Sequence, residues 1–478
     1  MKNIVKILIF ACVALWAQTN PLNLTTAQVV KDMGLGINLG NTFESNGDWI
    51  NGTTVNAYET AWGSPTITKA MIDGYANNGF KTVRIPVAWS NLMTGNNNGG
   101  TYTISTALLN RIEEVVDWVL ADNMYAIVNI HQDGGWWTKF STDSTNCMKK
   151  YIRIWEQITA KFKDKSGYLV FESLNEEGKW QDVWNMYDGS GNKARAYGLL
   201  NAINQKFVDI VRTAGSNNAN RHLLIAGYDT NIDRTSDAAF KMPTDSKNRQ
   251  AVSVHYYDPF GFTHIDKDGD WTPYLATWGT QSDINSLNTE INKMKTNFVD
   301  KGIPVIVGEY GFASKLNASR GRTQSQVTNY TLKVAEAIYT RNMCPVLWDI
   351  QLNPDNGEVI YYYNRKSNPP AFADPQFITG LKNLVGVSSS SSRAGSSSSS
   401  RAVSSSSIAS SSSSSADLSS SSSEEDTEPI LHSQLSTFNS QLVSYYTIKG
   451  VPLGNAKPQK AGVYIVKQGS SIRKIAVR

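Results

Sequence analysis

Eight parallel strands that alternate with helices and close into a barrel are the fold this chain predicts, on three observations. Apolar, β-branched runs alternate with helical periodicity from Met33 to about Leu384. There are eight such runs, the number a closed βα barrel requires. Gly34 to Gly40, around the first run, lacks the glycine spacing of the phosphate loop that an open doubly wound sheet normally carries there. The fold class is therefore α/β, a (β/α)8 TIM barrel.

Taken in order, the strand candidates are Leu35–Leu39, Thr82–Pro86, Tyr125–Ile130, Leu169–Glu172, His222–Ala226, Ala251–His255, Pro304–Gly308 and Val346–Trp348. They are nearly continuous apolar runs because a barrel strand is buried on both faces. Amphipathic helical periodicity marks Leu108–Leu120, Lys149–Phe162, Leu199–Val211, Ile284–Phe298 and Val327–Tyr339. The connection between the fifth and sixth strands is mostly polar and shows no clear helix.

The 478 residues exceed one ordinary domain. Residues 1–17 read as a secretory signal, with Lys2 and Lys6 ahead of an apolar stretch from Ile7 to Trp16. That stretch is too short to remain as a membrane span, and no other segment is apolar enough for one. Residues 18–386 form the barrel domain. Residues 387–428 are a linker, nearly all serine to Ser423 and then acidic at Glu424, Glu425, Asp426 and Glu428. Residues 429–478 form a small basic β module, with a hairpin at Gly462–Val466 and Ile472–Val477.

The formal charge of +4 is concentrated at that end, in Lys449, Lys457, Lys460, Lys467, Arg473, Lys474 and Arg478. The barrel domain is close to neutral and carries no basic stripe, which excludes a nucleic-acid partner. Cys147 and Cys344 fall at opposite ends of a barrel, too far apart for a disulfide.

Two strands end in carboxylates. Phe171-Glu172-Ser173-Leu174-Asn175-Glu176 carries one and Pro304-Val305-Ile306-Val307-Gly308-Glu309 the other. The C-terminal strand ends of a barrel share one face, so Glu176 and Glu309 are expected to meet there. Two carboxyl groups about 5–5.5 Å apart cleave a glycosidic bond with retention. Glu176 serves as general acid and Glu309 as nucleophile. Their mutual field is expected to keep the acid protonated near neutral pH.

Further residues fall at the same strand ends. Arg84 is a charge inside a strand and needs a carboxylate partner, either catalytic or structural. Asn175 is placed to hold a sugar hydroxyl or the partner carboxylate. His131 is placed to bond sugar hydroxyls. A zinc site would pair His131 with His255 and a carboxylate, but no two histidines have helical ligand spacing. Alternation points His255 and Tyr257 the same way, with the Tyr257 hydroxyl toward the nucleophile. Trp348 is placed to floor the cleft. Trp49, Trp62, Trp89, Trp136, Trp137, Trp180 and Trp278 follow strands, where binding loops lie, and some of them are expected to stack on sugars.

Seven segments in order resemble glycoside hydrolase family 5, the retaining cellulase family. They are Gly36-Ile37-Asn38-Leu39-Gly40-Asn41-Thr42, Val83-Arg84-Ile85-Pro86-Val87, Asn129-Ile130-His131, Asn175-Glu176, His255-Tyr256-Tyr257, Gly308-Glu309-Tyr310-Gly311 and Leu347-Trp348-Asp349. The resemblance implies Glu176 as acid/base and Glu309 as nucleophile. It implies Arg84, His131, Asn175, His255, Tyr257 and Trp348 as the surrounding shell, and no metal or organic cofactor. Glu177 departs from the family, which has proline after the acid/base.

The first strand resembles the endoglucanase and xyloglucanase branch. The implied activity is a secreted, monomeric endo-β-1,4-glucanase acting on β-glucan polysaccharide, with xyloglucanase, mixed-linkage glucanase or β-mannanase as alternatives. A non-catalytic polysaccharide-binding barrel is the alternative of another class; such barrels lose a carboxylate. The C-terminal Gly462–Lys467 and Arg473–Arg478 segments resemble a type IX secretion sorting domain, which implies contact with secretion machinery.

Overall fold

The computed structural model describes residues 20–266, 272–350 and 362–391, and four strands between 443 and 477. The segment read as a signal and most of the linker lie outside the described residues. The chain divides into two units, Met1–Ser398 and Ser399–Arg478.

In the first unit eight parallel strands close in sequence order, β1 to β8, with β8 pairing back onto β1. They are β1 (Gly36–Asn38), β2 (Thr82–Ile85), β3 (Tyr125–Asn129), β4 (Leu169–Glu172), β5 (Leu223–Ala226), β6 (Gln250–Tyr256), β7 (Val305–Tyr310) and β8 (Cys344–Leu347). Every strand expected from sequence is present, with ends displaced by at most two residues. The connection from β5 to β6, where the polar composition showed no clear helix, carries a 3-10 turn at Tyr228–Thr230 and the four-residue helix Ile232–Thr235.

Alternation sorts each strand into two faces. Val83, Ile85, Phe171, Val252, Val254, Val305 and Val307 face outward into the helical layer. Tyr125, Ile127, Val170, Leu224, Ala251, Ile306 and Val346 pack together with Val29, Val30 and Met33 of the chain entering the barrel. The helix Thr26–Asp32, started by a Thr25/Gln28 capping box, brings in Val29 and Val30. With that end filled by hydrocarbon, the inward positions nearer the C-terminal strand ends hold polar groups: Asn38, Arg84, Asn129, Glu172 and Ser253, each fully buried.

One break in the alternation decides the site. On β6 and β7, Val254 pairs with Val307 but His255 pairs with Glu309, so β7 carries one extra residue, Gly308. The same shift appears against β8. In strict alternation after the inward Ile306, Glu309 would face the helices; the bulge turns it inward. A Cβ at Gly308 would lie 3.1 Å from Ser253 Oγ and 3.2 Å from His255 Nε2, so glycine suits this crowded bulge.

A short hairpin, β9 (Tyr363–Asn364) and β10 (Ala371–Phe372), precedes the last helix, Pro375–Ser391. That helix runs a few residues into the stretch read as linker. The second unit is an antiparallel sheet in the order β12-β11-β13-β14. Its strands are β11 (Val443–Thr447), β12 (Pro452–Gly454), β13 (Gly462–Gln468) and β14 (Ser471–Val477). The expected hairpin is β13 and β14, and two further strands extend it.

Candidate active site

Arg84 organises the barrel mouth. It projects inward from β2 and is fully buried. Its Nε donates to Glu172 Oε2 at 2.6 Å and its Nη1 to Glu309 Oε1 at 2.9 Å. Nη1 also reaches Asn38 Oδ1 at 3.0 Å, and Nη2 reaches Asn175 Oδ1 at 2.8 Å. Burial opposes the guanidinium charge, but the two carboxylates outweigh it and raise the Arg84 pKa. Sequence left open whether the partner was catalytic or structural; Arg84 pairs with two carboxylates, the strand-end Glu309 and the interior Glu172. Ser253 completes Glu172 by donating to Oε1 at 2.8 Å.

Glu309 receives a second donor from Tyr257, whose hydroxyl lies 2.9 Å from Oε2. His255 Nδ1 is 2.8 Å from Glu176 Oε1 and 3.6 Å from Glu309 Oε2, so the imidazole lies between the carboxylates. One oxygen of Glu176 and one of Glu309 lie within 4.8 Å of each other. Across the mouth the His131 ring stacks on Trp348, with centroids 5.9 Å apart and planes 6° apart. The Asn129 side chain holds His131 Nδ1 at 3.3 Å. Burial and the Arg84 charge push the His131 pKa well down, so its imidazole is neutral.

The electrostatics differ from the sequence expectation. Burial raises Glu309 against the opposing pull of His255 and Arg84. Burial also pushes Glu176 upward, but Lys179, His255 and His131 together outweigh it and hold that carboxyl below its usual range. The acid was expected to be the raised member of the pair. Before a substrate enters the cleft, Lys179, 3.5 Å from Glu176 Oε2, and His255, 2.8 Å from Oε1, both favour the Glu176 carboxylate.

Glu176, His255 and Glu309 together offer ligand atoms within 4.8 Å. Those atoms are already hydrogen-bonded, and the Arg84 guanidinium and Lys179 ammonium stand beside the two carboxylates. Two fixed cations disfavour a third, so the cluster fits acid/base chemistry better than a metal ion. The zinc pairing of His131 with His255 has no support in these contacts.

Two carboxyl groups this close, on the C-terminal rim of a closed eight-stranded barrel, have the separation of a retaining glycosidase pair. A model of cellulase, glycosyl hydrolase family 5, matches residues 43–354. The chain belongs to glycosyl hydrolase family 5. It is 35% identical over 377 residues to Endoglucanase A of Paenibacillus barcinonensis, covering 72% of this chain and 87% of that one. It is 30% identical over 347 residues to a xyloglucan-specific endo-beta-1,4-glucanase of Bacteroides ovatus, covering 69% of this chain and 66% of that one. Among solved structures it is similar to a broad specificity endoglucanase from an uncultured bovine rumen ciliate. There the TM-score is 0.67 at 32% identity, covering 76% of this chain and 99% of that one. A family 5 lichenase mutant from a Caldicellulosiruptor species, in complex with cellotetraose, gives a TM-score of 0.67 at 30% identity, covering 80% of this chain and all of that one.

This family 5 barrel sorts its tryptophans sharply. Trp137 is buried, as His131, His255 and Glu309 are, and its indole N–H bonds Gln132 O at 2.9 Å. Trp89, Trp180 and Trp278 are also buried and serve packing. Trp136 stays partly exposed, with its N–H on Asp133 Oδ2 at 2.7 Å and Lys150 Nζ 4.8 Å from its ring. Trp49 is 49% exposed in the segment after β1. Sequence reasoning missed Glu172 as the buried partner of Arg84. The signal was an acid at an inward position of an apolar strand. It also passed over Lys179, which stands three residues after Glu176.

Glu177, in place of the family's proline, is fully buried and neither carboxyl oxygen has a hydrogen-bond partner. Burial, with Glu176 and Glu172 nearby, raises its pKa well above 4.5, so it stays protonated in the fold. A carboxyl raised in the folded state contributes most stability below the unfolded pKa and loses it as pH rises toward the folded value. Glu177→Met therefore stabilises the barrel by about 1–3 kcal/mol, the cost of an unpaired buried polar group. The gain grows as pH climbs from about 5 to about 8. Denaturant midpoints at those two pH values check this; an equal or negative difference at both overturns it.

Proposed function

We propose that the chain is a secreted endo-β-1,4-glucanase that hydrolyses β-1,4-glucans by double displacement. The supporting observation is the single cleft in which oxygens of Glu176 and Glu309 approach within 4.8 Å. An inverting pair needs room for a water, about 6.5–9.5 Å between carboxyl groups.

In the first step a Glu309 oxygen attacks the anomeric carbon. The bond to the leaving sugar's oxygen breaks, and Glu176, reacting in its protonated form, gives that oxygen its proton. In the second step Glu176 takes a proton from water, the hydroxide attacks the anomeric carbon, and the ester bond to Glu309 breaks. Arg84 and Tyr257 hold the Glu309 carboxylate in line. His255 steadies Glu176. Asn175, its oxygen held by Arg84, presents its amide nitrogen to a sugar hydroxyl. The His131–Trp348 stack supplies a flat wall for a pyranose ring.

The endoglucanase, xyloglucanase and lichenase neighbours support a β-glucan as substrate. β-Mannan is the more distant alternative. A non-catalytic barrel is disfavoured because both carboxylates are present and hydrogen-bonded. No helix among the described residues is long and apolar enough to cross a membrane. Residues 1–17 as a signal, and the four-stranded second unit as a sorting module that engages secretion machinery, complete the proposal of an exported monomer.

The test is product analysis on carboxymethyl-cellulose, xyloglucan, mixed-linkage glucan, mannan and xylan in parallel. Early loss of viscosity with release of cello-oligosaccharides is expected on the glucans. Preference for mannan would replace the substrate, and no new reducing ends on any polymer would remove the activity.

A further inference from the structure

A fixed cation stands beside Glu176. His255 takes Glu176 Oε1, and Lys179 Nζ lies 3.5 Å from Oε2. Lys179 is anchored from behind: its Nζ is 2.9 Å from Asp229 Oδ1, and Asp229 Oδ2 is 2.7 Å from Arg234 Nη1. The backbone enforces this arrangement. Gly178 has φ +119°, a left-handed conformation that suits glycine, and it turns Lys179 back over Glu176. Asp229 N donates to Glu177 O at 2.6 Å, which ties the segment after β5 to the loop after β4. Lys179 keeps 30% of its side chain exposed, so it lines the cleft.

The general acid protonates the leaving oxygen, so the leaving sugar passes over Glu176. As the proton departs, negative charge grows on that carboxyl. A preorganised cation 3.5 Å away is more stabilising after that transfer than before it. We propose that Lys179, anchored on Asp229, is a positioning residue that stabilises the carboxylate Glu176 becomes as the leaving oxygen takes its proton.

The inference rests on Glu176 as acid/base. Other charged or titratable groups around Glu176 are His255, Tyr257 and His264 from β6 and the segment after it, and His131 from the segment after β3. Glu309 on β7, Arg84 on β2, and Glu177 and Asp229 complete the set. Lys179 is the cation closest to the oxygen that His255 leaves free.

The test compares the pH dependence of kcat/KM for Lys179→Met, Lys179→Arg and Asp229→Asn on aryl cellobiosides with poor and good leaving groups. Loss of the cation in Lys179→Met moves the alkaline limb up by about one pH unit or more. Compared at the plateau of each profile, where Glu176 carries its proton, it slows the phenyl substrate about tenfold or more and the dinitrophenyl substrate little, because the latter needs no proton to depart. Asp229→Asn removes the counter-charge and moves the limb down. Lys179→Arg keeps the limb in place.

Both neutralising variants lose the same ion pair, so a merely structural role would move them alike. Shifts in the same direction, or an unmoved limb in Lys179→Met, overturn the inference. Glu176→Gln separates the two levels. If it retains full activity on the phenyl substrate, the acid/base assignment falls. If it is inactive there while the Lys179 variants match wild type, only the inference falls.

Discussion

Glu309→Ala abolishes hydrolysis of β-glucan, by on the order of 10^5-fold or more, the scale seen when a covalent nucleophile is removed. Substrate binding survives, because Arg84, Asn175, Trp348 and the loop aromatics remain in place. Azide restores part of the turnover on an aryl cellobioside with a good leaving group, and the stereochemistry of the product names the role. In this variant azide enters the space the carboxylate vacated and displaces the leaving group once, so the β-linked substrate gives an α-azide. In Glu176→Ala the ester to Glu309 still forms, azide attacks it, and the two inversions return a β-azide. NMR of the two products therefore checks both assignments at once. Exchanged stereochemistry would reverse the roles of the two glutamates, and wild-type rates in Glu309→Ala would end the double-displacement mechanism.

Arg84→Leu has the largest expected effect on folding. It removes four hydrogen bonds from the barrel interior, including those to Glu172 and Glu309. Glu172 is then left fully buried with the Ser253 hydroxyl alone. Stripping one partner from a buried ion pair costs about 3–5 kcal/mol. Activity falls by a further factor of about 10^2–10^3, typical for loss of one preorganised donor at a reacting group.

Arg84→Met combined with Glu172→Met separates the two effects. The stranded charge is gone, so most of the stability returns, because well-packed apolar side chains replace buried ion pairs at little cost. Activity does not return, since Glu309 still lacks its guanidinium. Thermal denaturation and initial rates for the single and double variants check this. A single variant that melts with wild type, or a double variant that recovers full activity, would contradict it.

Sequence alone determined much of this protein. Strands of a closed barrel are buried on both faces, so they read as apolar runs whose number and order survive without a structure. Each run ends at the same face, which brought Glu176, Glu309, Arg84, His131, His255, Tyr257 and Trp348 to one mouth.

Tertiary structure decided which groups touch and which charge prevails. The bulge at Gly308 resets the alternation that would otherwise turn Glu309 toward the helices, and a register shift shows only against neighbouring strands. Trp137 and Trp180 occupy loop positions like the exposed Trp49, yet both are packed into the core. Lys179 and Asp229 lie 50 residues apart, and only the join between the loops after β4 and β5 places their ion pair beside Glu176. Strand order is a local, periodic property of the chain. The protonation of a coupled pair depends on every charge within a few ångströms, and that neighbourhood exists only once the barrel has closed.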